Sequence, residues 1–494
     1  LRAFFMTVLI LDIGSSSARA LLFDTDARLI EGAVVSQPHQ FMAEPPGAAV
    51  MDALELRARV EGCIDAILTH PAARDIQVVG MATFVGNMLG LDEHGEPVTP
   101  IYAYADTRAA EDVAELRGRV DPEYIHQRTG CIIHTAYQPA RLHWLRRTAP
   151  DVFQRVVQWT DFATWFYRRW FGSASCSYSV ASWSGMLNRA DLTWNPRWLS
   201  VLGMDEDQFP PLADYSDTQQ GLTPDYAARW PVLRDVPFCL AVGDGAAANI
   251  GCACVDETHI ALTVGTTAAL RIVSGEILPN VPAGLWGYRV DATHHLIGGA
   301  TSEGGNIFSW ARDTLRLDDD IEEQLMNRAP DSHGLTVLPL LAGERSPGWA
   351  ADATGSIVGL RLSTPPLDIA QAALEAVALR LSLICEQLSP LVRADATVMG
   401  GGGALTASPA WAHMIANALN RPLSITAEPE ITARGTAMLA LSAIRRFRLQ
   451  DMPPPVAYTI EPTPAIVDIL RQARERQVEL YNKLVLGQAA PDGV

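Results

Sequence analysis

One short pattern, written twice, constrains this chain more than any other feature. The first copy runs Thr7-Val8-Leu9-Ile10-Leu11-Asp12-Ile13-Gly14-Ser15-Ser16-Ser17-Ala18-Arg19-Ala20-Leu21-Leu22-Phe23-Asp24. Apolar strand formers lead into a turn of small hydroxyl residues, and a second apolar strand follows. Roughly 250 residues later Ile260-Ala261-Leu262-Thr263-Val264-Gly265-Thr266-Thr267-Ala268-Ala269-Leu270-Arg271-Ile272 repeats the design. A repeat on this scale predicts two duplicated domains, and 494 residues are enough for both. The expected divisions are 1–240, 241–455 and a C-terminal helix and tail over 456–494.

Between the copies the apolar spacing predicts helices over 54–68, 109–120 and 140–147, the last just after Pro139. Pro210, Pro211, Pro224 and Pro231 mark loop and linker. The second half holds a long Ala/Leu-rich helical run over 367–388. Glycines 400–403 close a short strand and open a helix near Trp411. Pro453-Pro454-Pro455 is a break, and 465–486 reads as an amphipathic helix. Strands alternating with helices in both halves predict an α/β fold. Residues 1–5, ahead of Met6, read as a start-site remnant.

Composition removes several function classes. Asp and Glu number 56 against 38 Lys and Arg, a formal charge of −18, which argues against a nucleic-acid partner. A nucleotide substrate stays compatible, because backbone amides and a metal can hold phosphates on an acidic protein. No run of about 18 apolar residues predicts a membrane span. Val8–Leu11, broken by Asp12, reads as a buried strand and not as a signal peptide. The seven cysteines include no CxxC pair and read as reduced thiols in the cytoplasm.

The chemistry concentrates in three places. Glycine lets a backbone approach phosphate closely, and Ser or Thr hydroxyls add donors. A single such turn is a common hairpin; two that face each other can hold a nucleoside triphosphate between domains. Asp244 lies between glycines in Gly243-Asp244-Gly245 at the end of the apolar run 238–242. It is either a helix cap or a base for an attacking hydroxyl; beside the second turn, the base is favoured. Gly400 to Ala404, with Gly304-Gly305, could let a nucleoside lie flat against backbone.

Together these residues resemble the FGGY family of carbohydrate kinases, over nearly the whole chain. The most specific string is Gly355-Ser356-Ile357-Val358-Gly359-Leu360, followed by Asp368-Ile369 and Ala372-Ala373-Leu374-Glu375; Gly343-Glu344-Arg345-Ser346-Pro347 is similar to the family's Gly-Glu-Arg-Thr-Pro loop. The resemblance implies two actin-like (ribonuclease H-like) ATPase domains with a nucleotide cleft between them. It implies ATP and Mg²⁺, with Asp12 placing the metal. Gly14, Ser15, Ser16, Ser17 and Arg19 would face the β- and γ-phosphates, and Gly265, Thr266 and Thr267 would hold phosphate from the other side. Gly305, Gly402, Gly403 and Ala404 would line the nucleotide, and Asp244 would be the catalytic base. On the acceptor side it implies Phe84, Val85, Gly86, Tyr104, Asp106, Arg108 and His134. Gly435 is implied to permit close helix packing.

Thr129 to His134, Ala140 to Leu145 and Tyr104 to Arg108 resemble the gluconate-kinase branch, so a sugar acid is the expected partner. A ketose such as xylulose or another pentulose is the alternative, and a homodimer stays open. The chain departs from both branches at Phe84-Val85-Gly86-Asn87, which lacks their histidine. Two readings of another class compete. An actin-like ATPase would share the turns but needs neither Tyr104 to Arg108 nor a glycine-flanked Asp244. A degenerate sugar sensor would explain the altered 84–87 segment. His294-His295 lacks acidic or thiol partners at ligand spacing, so metal binding is not expected there.

Overall fold

The computed structural model describes residues 6–275, 280–446 and 448–487. Residues 1–5, read above as a start-site remnant, and the end of the expected tail, 488–494, lie outside the described residues. The duplicated pattern forms matching sheets. In the first, Thr7–Ile13 (β1), Ser17–Phe23 (β2), Leu29–Pro38 (β3), Ile76–Thr83 (β4) and Val242–Gly243 (β5) stand in the order β5-β4-β1-β2-β3. β1, β2 and β3 are antiparallel neighbours, whereas β4 and β5 run parallel to β1.

The second sheet uses His259–Val264 (β6), Ala268–Ser274 (β7), Trp286–Arg289 (β8), His295–Thr301 (β9), Thr397–Gly401 (β10), Leu423–Thr426 (β11) and Val456–Ile460 (β12). Its order is β8-β9-β7-β6-β10-β11-β12. The inner five strands reproduce the first sheet in order and direction, with β8 and β12 added antiparallel at the edges. β5 lies beyond residue 240 yet pairs into the first sheet, and β12 belongs to the second sheet although it falls in the expected tail.

The expected helices form at Ala53–Ile67, Ala110–Arg119, Gln138–Thr148, Pro366–Leu388 and Pro464–Leu484. Each sheet buries an aliphatic layer against such helices: Leu9, Leu11 and Leu22 in the first, and Ile260, Leu262, Leu374 and Trp411 in the second. No helix among the described residues is long and apolar enough to cross a membrane.

Two further helices join the domains. Asp244–Gly251 follows β5, and Ile431–Ala443 follows β11, the equivalent strand. They cross with almost no separation. A Cβ on Gly435 would lie 1.8 Å from the Ala247 carbonyl oxygen, and one on Gly251 would lie 1.9 Å from that of Ile431. The second helix also lies on the first sheet: Ala437, Met438 and Ala440 share an apolar cluster with Val8, Ile10 and Val78. Gly435 does what the sequence suggested, and Gly251 is its counterpart. Because backbone blocks both positions, Gly435→Ala is expected to cost about 3 kcal/mol and to lower the unfolding midpoint by several degrees in scanning calorimetry. Gly118→Ala, with nothing within 4 Å of its added methyl, should leave the midpoint unchanged or slightly raised.

Candidate active site

Each hairpin turn closes on itself. In the first, the Gly14 amide donates to the Ser17 carbonyl at 3.0 Å. His39 braces it from β3's end, donating from Nε2 to the Gly14 carbonyl at 2.9 Å and from its amide to that of Ser16 at 2.8 Å. In the second, the Gly265 amide donates to the Thr267 carbonyl at 2.9 Å. The shorter closure leaves Thr266 and Thr267 exposed beside the next segment, Gly304-Gly305.

That segment and the glycine run meet at the second turn. The Gly305 amide donates to the Gly265 carbonyl at 2.6 Å. A Cβ on Gly305 would come within 2.8 Å of Ala404 Cβ, and one on Gly402 would sit 2.4 Å from the Val264 carbonyl oxygen. Gly402 has φ +101, which favours glycine on backbone grounds as well. Gly265, Thr266, Thr267, Gly305, Gly402, Gly403 and Ala404 therefore form one wall of backbone, with helix N-termini at Gly305 and Gly403. Amides at helix starts suit phosphate and nucleoside oxygens, although those of Gly305 and Asn306 are here donated to the Gly265 and Thr266 carbonyls.

Asp12 pairs across the hairpin with Arg19, and the same guanidinium reaches Glu430 of the second domain at 2.6 Å. Burial outweighs Arg19 and lifts the Asp12 carboxyl above its ordinary range; Glu430 adds to the rise. Two carboxylates thus share one cation. Arg19, expected to face phosphate, is engaged by both.

Asp244 opens the helix that leaves β5. Its Oδ1 accepts from the Gly245 amide at 2.7 Å. Burial raises its carboxyl to about 6, against the lowering pull of that amide and of Arg271, while the charge of Asp12 adds to the rise. Small neighbours let large groups close around it. A Cβ on Gly243 would be 2.8 Å from the Trp183 indole nitrogen and 2.9 Å from Val85 Cγ1.

The expected acceptor residues divide. Val85 and Tyr104 gather near Asp244, and His134 shares the charge of Arg345 with Tyr104. Tyr104, 43% exposed, stands beside Ser15 and feels the charges of Asp244 and Arg345. Gly86 has φ +67 and lies under Tyr104, 3.1 Å from its Cβ if it carried one itself. His134 packs edge-on against Trp349; burial, then Arg345 and Arg117, push it down to about 4. Its Nδ1 accepts from the Ala136 amide at 3.1 Å, which leaves Nε2 to donate.

Phe84, Asp106 and Arg108 are used elsewhere. The Phe84 ring lies in the core between Phe41 and Phe162, because the strand end turns it inward. Asp106 is fully buried, accepts from the Ala49 amide and forms a forked ion pair with Arg108. Arg108 in turn lies 4.6 Å over the Trp144 ring. Arg141, wholly buried, donates to the carbonyls of Gly86, Tyr102, Ala103 and Ala136, and so knits the acceptor loops together.

Five residues at the site were not in the expected set: His39, Trp183, Arg271, Arg345 and Glu430. Two lie inside motifs read from the sequence, Arg271 at the end of the second hairpin and Arg345 in the 343–347 loop, and Glu430 stands at the head of the Gly435 helix. His39 and Trp183 carry no local signal.

Comparison with known proteins follows the same geometry. The chain is 24% identical to the gluconokinase of Bacillus subtilis (strain 168), over 88% of this chain and 86% of that one. The gluconate kinase structure from Lactobacillus acidophilus superposes with a TM-score of 0.90 at 25% identity, covering 97% of this chain and 98% of the other. The ligand-bound xylulose kinase from the same organism gives 0.91 at 24% identity with the same coverage. Residues 7–251 match the N-terminal domain of the FGGY family of carbohydrate kinases and residues 260–444 match its C-terminal domain. With both halves matched, the protein belongs to the FGGY family of carbohydrate kinases.

Proposed function

We propose that this kinase phosphorylates a sugar acid of the gluconate type, with Asp244 as general base. Family membership makes it a sugar phosphotransferase with ATP as donor. The observation that carries the assignment of the base is its position at the end of β5: Asp244 feels the charge of Asp12 of the first turn, and its own charge reaches Tyr104 of the acceptor side and Arg271 of the second domain. The names of the Bacillus subtilis gluconokinase and the Lactobacillus acidophilus gluconate kinase support the acceptor.

In this reading Asp244 accepts the proton of the acceptor hydroxyl as its oxygen bonds to the γ-phosphorus and the bond to ADP breaks. Ser15, Ser16 and Ser17 on one side and Thr266 and Thr267 on the other donate to phosphate oxygens, and the amides of Gly14 and Gly265 shape those turns. Gly305, Gly402, Gly403 and Ala404 form the floor for the nucleoside. The groups around Asp12 fit Mg²⁺: Asp12 and Glu430 share only Arg19, and Asp244 adds further negative charge. Mg²⁺ when bound supplies neutralisation of phosphate charge, and Asp12 offers it a hard oxygen. Val85, Gly86, Tyr104 and His134 shape the acceptor side. All seven cysteines are free and buried, which fits a reducing compartment, and we place the enzyme in the cytoplasm.

Asp244→Ala is expected to lower kcat for gluconate by about 10²- to 10⁴-fold while ATP affinity, measured by calorimetry, stays within about twofold; near-wild-type turnover excludes Asp244 as the base. Because the base must be ionised, kcat/KM in the wild type should fall as pH drops through about 6. Stability carries the opposite sign. The folded carboxyl titrates above its ordinary value, so ionising it above pH 6 costs folding free energy. Asp244→Asn should therefore be more stable than wild type at pH 8, by about 2–3 kcal/mol. The gain should fade as pH falls from 6 towards 4, as thermal melts across that range would show.

A further inference from the structure

Two arginines of the second domain face the acceptor side without a carboxylate assigned to neutralise both. Arg271 projects from β7 towards the helix that starts at Asp244. A Cβ on Gly245 would lie 3.5 Å from its Nε. One of its terminal nitrogens donates to Thr263 Oγ1 at 3.2 Å, whereas the Nε is buried with no partner. Arg345 forms no ion pair among the described residues. Its charge is felt by Tyr104, His134 and Tyr137 of the first domain and by Tyr288. The two guanidinium groups also repel each other, and among the described residues Asp244 is the carboxylate whose charge acts on Arg271. With Asp244 ionised, this pocket still holds an excess positive charge. Arg271 is desolvated, and a desolvated charge is costly unless an anion completes it.

The surroundings are built for a polar ligand. The Trp183 and Trp286 indole nitrogens are buried donors without partners, like Arg271 Nε. Gly298 brings two of the three together: a Cβ there would be 2.7 Å from the Trp286 ring and 3.1 Å from Arg271 Cγ. Trp183 stacks on Tyr288 with ring centres 3.6 Å apart, an aromatic floor of the kind that suits a sugar's carbon face. Arg345 itself is held on a braced loop. The preceding Glu344 is buried, paired with Arg380 and accepting from the Tyr481 hydroxyl. Trp349, four residues on, adopts φ +56, a left-handed conformation that a bulky side chain rarely takes. Its amide closes the loop on the Arg345 carbonyl at 2.6 Å, and its indole donates to Gly284 at 2.8 Å. Strain of this kind persists where surrounding structure fixes a functional geometry.

We infer that Arg271 and Arg345 form the subsite that receives the carboxylate of the acceptor, and so set the enzyme's choice of a sugar acid over a neutral sugar. The proposal rests on the sugar-acid reading above. It places the acceptor between domains: Tyr104, His134 and Asp244 hold it from the first, and the arginine pair grips its charge from the second. Arg345 is the specificity-determining group that does not also neutralise Asp244.

Calorimetric binding of gluconate and of the neutral hexitol sorbitol to wild type, Arg345→Gln and Arg271→Gln tests this, together with kinetics on gluconate, sorbitol and D-xylulose. The wild type should bind gluconate at least about 100-fold tighter than sorbitol. Each variant should lose at least tenfold in gluconate affinity, keep its affinity for sorbitol or still bind none, and keep KM for ATP within about twofold. Circular dichroism and ADP binding establish folding. Should Arg271→Gln fail to fold, Arg345→Gln and the salt dependence of the wild type decide: gluconate affinity should weaken with ionic strength and sorbitol affinity should not. Unchanged gluconate affinity in Arg345→Gln, equal losses for gluconate and sorbitol, or a loss confined to ATP would overturn the subsite while leaving the sugar-acid reading intact. A wild type that acts only on neutral sugars overturns that reading and the subsite with it.

Discussion

The crossing of helices 244–251 and 431–443 at Gly251 and Gly435 is the contact on which the rest of this enzyme depends. Each helix starts at the end of an equivalent parallel strand, so the contact fixes where the two sheets point their turns. Backbone touches backbone at both glycines, and no side chain could adjust to take up slack. The crossing is therefore stiff at its centre. Asp244 is the first residue of one of these helices, and Glu430, which holds Arg19, immediately precedes the other. Asp244 and Glu430, one from each domain, are thus anchored beside a single rigid junction.

Charge in the cleft is arranged in two compartments of opposite excess. Around the first turn, Asp12 and Glu430 outnumber Arg19, which suits a cation and its phosphates. Around the proposed acceptor site, Arg271 and Arg345 outnumber Asp244, which suits an anion. Asp244 sits between them and is raised by burial to about 6, still low enough to be ionised at neutral pH and high enough to accept a proton. Neither excess is comfortable in a protein without its ligand. Each is a local cost that binding relieves, and both compartments are open to the same cleft.

What the sequence made legible is what short-range chemistry dictates. Gly14 to Ser17 and Gly265 to Thr267 look alike because each must turn a hairpin tightly and present hydroxyls. The wall at Gly305 and Gly402 could be read because only glycine tolerates backbone at such distances. Even the strand order, repeated in both domains, follows from the duplication. Arg271 was harder to read: on a strand it looks like any exposed cation, and only the packing of Gly245 and Gly298 shows which way it points. Trp183 and His39 reach the site through loops that no periodicity announces. Phe84 shows the reverse difficulty. It stands beside the acceptor in sequence, but alternation at the end of β4 turns its ring into the core and leaves Val85 and Gly86 facing the site. β5 forms at the end of the apolar run 238–242, so a boundary drawn at 240, ahead of the second hairpin, cuts that run.

The departure at 84–87 then takes on a physical meaning. A histidine there would have offered one donor from the first domain. In this chain the same space is bordered by Val85 and by Gly86, whose positive φ is fixed under Tyr104, and Arg141 locks that backbone through four carbonyls. The first domain thus gives up a polar contact and gains a rigid, largely apolar edge. On the proposed reading, recognition of an acceptor then leans more heavily on the donors without partners, Trp183 of the first domain and Arg271 and Trp286 of the second. An enzyme built this way recognises its substrate only when both domains contribute. On the proposed subsite, an acceptor is then aligned with the two phosphate turns by the same rigid junction that positions Asp244 and Glu430.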